Sequence, residues 1–364
     1  MSAVEERKAL VAMSGGVDSS VAVRLLQQQG YLCHGVTMRL NDWSDEEDGS
    51  GRTCCAQKDI VDAARAAFRL GVSHEVLDCR EEFRSRVIDR FVCTYEAGGT
   101  PNPCIECNRS LKFDTLLRLA LSRGMDCLAT GHYARIEYDE ASGLWQLKKA
   151  LDHAKDQSYV LYMLSQNQLE HIRFPLGGLT KIETRALAES LGLCNAGKPD
   201  SQDICFVPDG DYVAFMERYR GRPYQPGDIV DLRGRVLGRH RGAVRYTTGQ
   251  RKGLGLALGT PVYVCGKDMA ANRVRVGPEE ALYSSALTAT AVNWVAGRPP
   301  EGPLPVQAKT LYGAEAAEAA VYPLADGRFR LEFDQPRRAL SPGQAAVLYD
   351  GELVLGGGTI CEVE

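Results

Sequence analysis

Two groups of side chains in this sequence have the types and spacing for chemistry: hydroxyls and glycines near the N-terminus, and cysteines in two later segments. Met13-Ser14-Gly15-Gly16-Val17-Asp18-Ser19-Ser20 follows the apolar run Ala9–Met13 and leads into Val17–Gln29, where Val21, Leu25 and Leu26 recur at helical spacing before Gly30. A strand, a Gly-rich turn and a helix N-terminus in that order leave several backbone amides pointing together. With the hydroxyls of Ser14, Ser19 and Ser20 and the positive end of the helix dipole, those amides favour a bound phosphate. The loop lacks the Lys-[Ser/Thr] ending of a Walker loop, and it is not Gly-x-Gly-x-x-Gly. Asp18 stands where a carboxylate stabilises a first helical turn and where it could also act through Mg²⁺.

The second group lies in Gly98–Asn108, with Cys104 and Cys107, and in Asp200–Phe206, with Cys205. Two glycines and two prolines predict an irregular polar loop around Cys104 and Cys107, with Gly98-Gly99 as a candidate hinge. A Cys-x-x-Cys pair alone leaves its chemistry open. Structural zinc needs four ligands, and adjacent Cys54-Cys55 makes a poor second pair. A redox pair opens a helix in another context. In covalent sulfur chemistry one thiolate is the nucleophile and a second cysteine carries or resolves a persulfide. Cys205, between Ile204 and Phe206, reads equally as a small buried hydrophobe.

The elements that must position these residues alternate between strand and helix. Strands are predicted at Tyr31–Leu40, Val72–Leu77 and Asp126–Thr130, with an acidic loop over Asn41–Gly51. One helix is predicted to place Ile60, Ala64, Ala67 and Phe68 on one face; others cover Glu81–Tyr95 and the stretch holding Phe113, Leu116, Leu117, Ala120 and Leu121. Further helices are predicted over Gln157–Gln168 and Thr184–Leu191. Such alternation implies a parallel sheet with helices on both faces and a nucleotide at the carboxyl ends of its strands, so Met38 and Gly131-His132 should border one pocket. From Arg218 to Lys252 ten cations face only Asp228 and Asp231, a local charge of +8 in a chain whose net charge is −4. That excess suits a phosphate backbone, and its Gly and Pro content favours small β structure. The last eighty residues read as all-β: Phe329, Leu331 and Phe333 alternate with Arg330, Glu332 and Asp334, and Asp350-Gly351 is a hairpin signal.

At 364 residues the chain has room for two or three domains. It has neither a long apolar run nor a signal-like N-terminus, and twelve scattered cysteines fit a reducing cytoplasm better than a disulfide framework.

Ser14–Ser20 matches the Ser-Gly-Gly-x-Asp-Ser loop of enzymes that split ATP into AMP and pyrophosphate. Taken with Cys54-Cys55, Thr100–Asn108, Ala129–Tyr133, Lys155–Tyr159, Asp200–Phe206, Tyr246–Gly255 and Ser341–Gln344, the chain resembles the tRNA-specific 2-thiouridylase family (MnmA type) along nearly its whole length. The resemblance implies an α/β adenylating and sulfur-transfer domain over 1–212, a basic tRNA-binding domain over 213–283 and a C-terminal β-barrel over 284–364. It implies ATP on Ala12, Met13, Ser14, Gly15, Gly16, Val17, Asp18 and Ser19, with Met38 and Gly131 around the adenine and ribose. Catalysis is implied at Asp18, at Cys205 as persulfide carrier and at Cys107 as the nucleophile that forms a disulfide with it. Asn102, Pro103 and Cys104 align with contacts to the target base, and His132, Lys155, Asp156, Gln157, Tyr312 and Gln344 with contacts to tRNA. His132 reads equally as a satisfied strand-end histidine, and Lys155-Asp156 as a surface pair.

Two departures stand out. Cys104, a further catalytic candidate, replaces an Asp common in the family that is a candidate acid/base, to which a thiol is not equivalent; Cys104, Cys107 and Cys205 could instead hold three irons of a [4Fe–4S] cluster, leaving the fourth open for sulfide. Leu311-Tyr312 replaces a frequent Arg-Tyr. The expected partners are tRNAs for Lys, Glu and Gln and a sulfur-donor protein of a cysteine-desulfurase relay, in the cytoplasm and without a membrane. The rival readings are a small-molecule ligase of the argininosuccinate-synthase kind and an RNA-binding protein without catalysis.

Overall fold

The structure, a computed structural model, describes residues 6–41, 57–200, 203–207 and 209–364. Cys54-Cys55 and nearly all of the acidic Asn41–Gly51 loop lie outside the described residues.

The first domain is built on a parallel sheet. Strands β1 (Lys8–Ala12), β2 (Leu32–Arg39), β3 (Ser73–Asp78), β4 (Cys127–Ala129) and β7 (Ile172–Arg173) lie in the order β3-β2-β1-β4-β7. All four pairings are parallel. The order reverses between β1 and β4, so their carboxyl ends open a crevice there. The flanking helices are α1 (Val17–Gln28), α2 (Gln57–Leu70), α3 (80–96) and α4 (103–122). Each of α3 and α4 contains a π-helical stretch, at Arg84–Ile88 and Asn108–Leu116. Shorter helices α5 (Gln166–Glu170) and α6 (Lys181–Ser190) and an antiparallel hairpin, β5 (Arg135–Asp139) with β6 (Leu144–Lys148), complete the domain.

Four sequence expectations need correction. Cys104 and Cys107 lie on the opening turns of α4, because Pro103 occupies N1, where its missing N–H costs nothing, and Asn102 caps the helix by accepting from Cys104 N at 3.1 Å. Residues 157–168 are not a helix: a 3₁₀ turn at Ser158–Val160 runs into buried Leu161, Tyr162 and Leu164 before α5 begins at its Ser165 capping box. Tertiary bonds replace the helical ladder there, since Asn293 Nδ2 donates to Tyr162 O (2.7 Å) and Leu164 O (3.0 Å), and Tyr159 Oη to Ala345 O (2.9 Å). Helix α2 buries Asp59, Ala63, Ala66 and Ala67 and leaves Phe68 88 % exposed, because small side chains let it pack closely on its neighbours. Arg218 and Arg220 end a helix, α7 (Tyr212–Arg220), instead of entering β structure.

Beyond α7, strands β8 (Gly227–Val230), β9 (Val236–His240), β10 (Tyr263–Asp268) and β11 (Arg273–Gly277) form a small sheet around Ile229, Val264, Val274 and Val276. The last part is a barrel of β12 (Tyr283–Trp294), β13 (Leu304–Lys309), β14 (Ala317–Pro323), β15 (Phe329–Arg338), β16 (Ala345–Asp350) and β17 (Leu353–Val363). Six strands close through β12–β17 pairing around Phe329, Leu331, Val321 and Leu348. The expected hairpin joins β16 to β17, with its turn at Gly351-Glu352, one residue later than expected, because Asp350 still pairs with Leu353. Leu353 of β17 also pairs with Lys148 of β6, which ties the barrel to the first domain.

Replacing Asn293 by Ala strips two buried carbonyls of their donor at that join. We expect a loss of about 1–3 kcal/mol, read as a lower thermal midpoint and earlier proteolytic release of the barrel. An unchanged midpoint would mean that the carbonyls find other donors.

Candidate active site

The phosphate loop sits at the carboxyl end of β1. Met13 N donates to Val36 O at 2.8 Å and Thr37 Oγ1 to Met13 O at 2.7 Å, so the chain stays extended up to the turn. Gly15 then adopts φ +72°, and a Cβ there would fall 2.2 Å from Asp59 O of α2. Gly16 is the N-cap of α1 and supplies no side-chain cap, while Ser19 and Ser20 Oγ both turn back to Gly16 O at 3.1 Å. The first-turn amides of α1 therefore remain open to a phosphate. Gly131, after β4, closes the other wall: a Cβ on it would lie 2.7 Å from Ser19 N and 2.8 Å from Asp18 C. Met38 is buried in β2, two residues past the Val36 that pairs with Ala12. Loop and Gly131 thus meet at the β1/β4 crevice, while Met38 lies at the carboxyl end of β2, on the side of β1 away from β4.

Several residues that sequence reasoning missed hold this loop. Asn195 Nδ2 donates to Gly15 O (3.1 Å), Gly16 O (3.1 Å) and Ser20 Oγ (3.0 Å). Lys198 pairs with Asp59 and, at 3.0 Å, with Asp62 of α2. Asp18 accepts from Tyr133 Oη at 3.0 Å and pairs with Lys181 Nζ at 2.7 Å; Lys181, only 10 % exposed, also pairs with Asp200 at 2.7 Å. Lys155 and Arg185 complete the set around Asp200 at 2.8 and 3.2 Å. Burial alone would raise the Asp200 carboxyl, but hydrogen bonds and charge from Lys155 and Lys181 outweigh it and hold it down at about 2. Asp18, Lys155 and the Asp200 segment were marked by motifs, but Lys181, Arg185, Asn195 and Lys198 gave only a scatter of Lys, Arg and Asn with no spacing to mark it.

Asp200 stands five residues before Cys205. Phe206 fixes that segment by packing edge-on against Phe83 (5.7 Å) and Phe91 (5.1 Å) of α3 and, tilted, against Phe215 (5.2 Å) of α7. Cys205 and Cys107 are both half-buried against the core that contains these rings, and Cys104 is exposed. Helix α4 is itself anchored: Glu106 pairs with Arg90 (2.8 Å) and Arg109 (2.9 Å), and Asn108 Nδ2 donates to Val160 O at 3.0 Å.

The residues expected at a tRNA surface divide. Tyr312 is 50 % exposed, its ring 6.0 Å from Tyr159. Lys155, Asp156 and Gln157 are half-buried and bonded inward, to Asp200, to Ala150 N and Ser158, and to Tyr133 N. His132 is the strand-end alternative: 8 % exposed, its ring between Phe113 and Phe174 and its Nδ1 2.6 Å from Thr130 Oγ1. Burial pushes its imidazole well below the usual range, so it stays neutral. Gln344 is 9 % exposed and donates to Thr100 O at 3.0 Å. Of the ten central cations, Arg220 is bound to Glu96 (2.6 Å) and Arg245 to Glu217 (3.0 Å). Arg222, Arg233, Arg239, Arg241, Arg251 and Lys252 remain exposed.

Comparison with known proteins matches each part. Family models described as a tRNA methyl transferase HUP domain, a tRNA methyl transferase PRC-barrel domain and an aminomethyltransferase β-barrel domain match residues 7–209, 214–278 and 284–360. The tRNA-specific 2-thiouridylase MnmA of Magnetococcus marinus is 50 % identical over 98 % of this chain and 99 % of its own length. That of Acetivibrio thermocellus is 47 % identical over 98 % and 100 %. The chain belongs to the tRNA-specific 2-thiouridylase family. Among solved structures, a 4-thiouridine synthetase–RNA complex with bound ATP aligns at 16 % identity and a TM-score of 0.34, over 58 % of this chain and 50 % of that one. Among the described residues, no helix is long and apolar enough to cross a membrane.

Two measurements follow for this member of the family. Gly131→Ala drives a methyl group into the first turn of α1 and is expected to weaken ATP binding at least about tenfold, read by calorimetry with a non-hydrolysable analogue. Because the Asp200 carboxyl is depressed from 3.8 to about 2 by the fold, its ionised form stabilises the protein above pH 3.8, and that contribution is lost as the pH falls through about 2. Asp200→Asn should therefore lower the melting temperature at neutral pH, and its deficit relative to the parent should close on acidification through that window.

Proposed function

We propose that this chain replaces the C2 oxygen of the wobble uridine of tRNA with sulfur, using ATP. The observation that carries the reading is the meeting of the phosphate loop and the cysteine segment on one lysine: Asp18 and Asp200 share Lys181. ATP lies with its phosphates on the α1 amides and the hydroxyls of Ser14 and Ser19, between Ala12–Val17, Met38 and Gly131. The partly exposed Asp18 carboxylate is an oxygen ligand of the kind Mg²⁺ takes. The uridine is extruded from its stack to reach the crevice, and Asn102, Pro103 and Cys104 hold it. Its C2 oxygen attacks the α-phosphorus, pyrophosphate leaves, and the oxygen becomes an adenylated leaving group.

Cys205 brings the sulfur as a persulfide. The Cys107 thiolate attacks Cys205 Sγ and forms the Cys107–Cys205 disulfide. The outer sulfur, released with the bonding pair, adds to C2 as AMP departs. A thiol reductant then restores both cysteines. In this reading the RNA lies over the exposed central cations and Tyr312, Lys155, Asp156 and Gln157 line its path, and His132 acts through the backbone it braces. The tRNAs are those for Lys, Glu and Gln, the sulfur comes from a donor protein of a cysteine-desulfurase relay, and the reaction takes place in the cytoplasm.

A [4Fe–4S] cluster on Cys104, Cys107 and Cys205 would give the same product. The persulfide route needs only the two half-buried thiols, Cys107 and Cys205, and leaves exposed Cys104 to the base-binding turn, so it is the reading preferred. A small-molecule ligase would leave both cysteine segments without work.

With ATP, tRNA and a persulfide donor, Cys107→Ser and Cys205→Ser are expected to retain tRNA-dependent pyrophosphate release and to lose thiolation, while Cys104→Asp keeps it. About four irons per chain in protein purified without oxygen, with thiolation lost in Cys104→Asp, would contradict the persulfide route. AMP formation that needs no tRNA would favour the ligase.

A further inference from the structure

We infer that Asn195 is a positioning residue for the triphosphate of ATP: it holds two carbonyls of the phosphate loop and so sets the direction of the N–H groups that must meet the phosphates. A trans peptide points its C=O and its N–H in opposite directions. The Gly15 carbonyl shares a peptide unit with the Gly16 N–H, and the Gly16 carbonyl shares one with the Val17 N–H. Asn195 Nδ2 donates to both carbonyls at 3.1 Å and to Ser20 Oγ at 3.0 Å. One amide thus orients both peptide units at the start of α1, where the N–H groups have no intrahelical partner. The constraint has to come from outside the loop, because two adjacent glycines leave the backbone free to turn either way.

The residue is kept for its donor end. Asn195 is 3 % exposed, and its Oδ1 is buried with no hydrogen-bond partner among the described residues. An apolar side chain of similar volume would fill the space without leaving an unpaired acceptor, so packing alone does not account for an asparagine here. Turning the amide over would set Oδ1 against two carbonyl oxygens, so the loop itself decides which end faces it. The segment that carries Asn195 is rigid. Leu193 is buried with Ala188 and with Ala22 and Val23 of α1, and Leu193 N donates to Ala188 O at 3.1 Å. The guanidinium of Arg185 donates to Ala196 O at 3.0 Å and to Lys198 O at 3.1 Å. Lys198 Nζ, from its pair with Asp62, reaches the same Gly15 carbonyl at 3.4 Å. The loop is therefore set from a segment about 180 residues away in sequence, and Asn195 is the part of that segment that touches both carbonyls.

The inference rests on the proposed function, since it takes ATP to lie on this loop. Two variants remove the donor: Asn195→Leu keeps the volume and Asn195→Asp keeps the shape. In the full-length protein, calorimetry with α,β-methylene-ATP and with AMP reads how much affinity the outer phosphates supply. The ratio of the two affinities should fall at least about tenfold in both variants, with tRNA Kd within about twofold. Asn293→Ala, at the barrel join, should lower the melting temperature and leave that ratio as in the parent. A ratio unchanged in whichever Asn195 variant folds overturns the inference. So does an equal loss of ATP-analogue and AMP affinity, or a ratio that falls as far in Asn293→Ala, because either means general loosening of the pocket. A parent chain that binds neither nucleotide refutes the proposed function and this assignment with it, whereas a parent that binds both, with the ratio kept in the variants, refutes this assignment alone.

Discussion

One ammonium group holds the two halves of the site together. Lys181 stands between Asp18, on the first turn of the loop helix, and Asp200, five residues before Cys205, at 2.7 Å from each. Two carboxylates this close in a largely buried setting repel unless a cation lies between them. The lysine is brought there by α6, whose start is set by the Thr180–Glu183 capping box. Lys155 and Arg185 carry the remaining lone pairs of Asp200, so the charges compensate within one cluster. Nucleotide loop and sulfur segment, more than 180 residues apart in sequence, are in this way fixed relative to each other before any substrate arrives.

The thiols are positioned by a second set of constraints that draws on all three parts of the chain. Helix α3 supplies Phe83 and Phe91 to clamp Phe206, and Arg90 to hold Glu106. The barrel supplies the turn at 341–344, and the central sheet supplies Met269 against Gly98. The π-helical stretches at 84–88 and 108–116 face this same region; such widened turns concentrate at functional sites because they redirect side chains without ending the helix.

What could be read in advance was local. The phosphate loop, the alternation of strands and helices, the β15 pattern of Phe329, Leu331 and Phe333, and the β16–β17 hairpin each follow from a few neighbouring residues. Asn102-Pro103 was misread because proline was weighed as a breaker, although at N1 it starts a helix. The 157–168 stretch was misread because its apolar residues are buried on every side and its carbonyls are satisfied by Asn293 from the distant barrel, a partner that no local pattern reveals. Lys181, Asn195 and Lys198 were missed for the same reason: ion pairs between remote segments have no period. Among the residues that the family resemblance assigns to tRNA, burial of His132 and Gln344 could be seen only once the rings and the barrel turn surrounding them were placed.

In the proposed reaction the uridine oxygen itself becomes the adenylated leaving group on the α1 loop. This step is tested most directly with tRNA carrying ¹⁸O at C2 of the wobble uridine, thiolated in a single turnover with ATP and a persulfide donor. The heavy oxygen is expected to leave in AMP, with pyrophosphate unlabelled. Heavy oxygen found in water or in pyrophosphate, with AMP unlabelled, would contradict it.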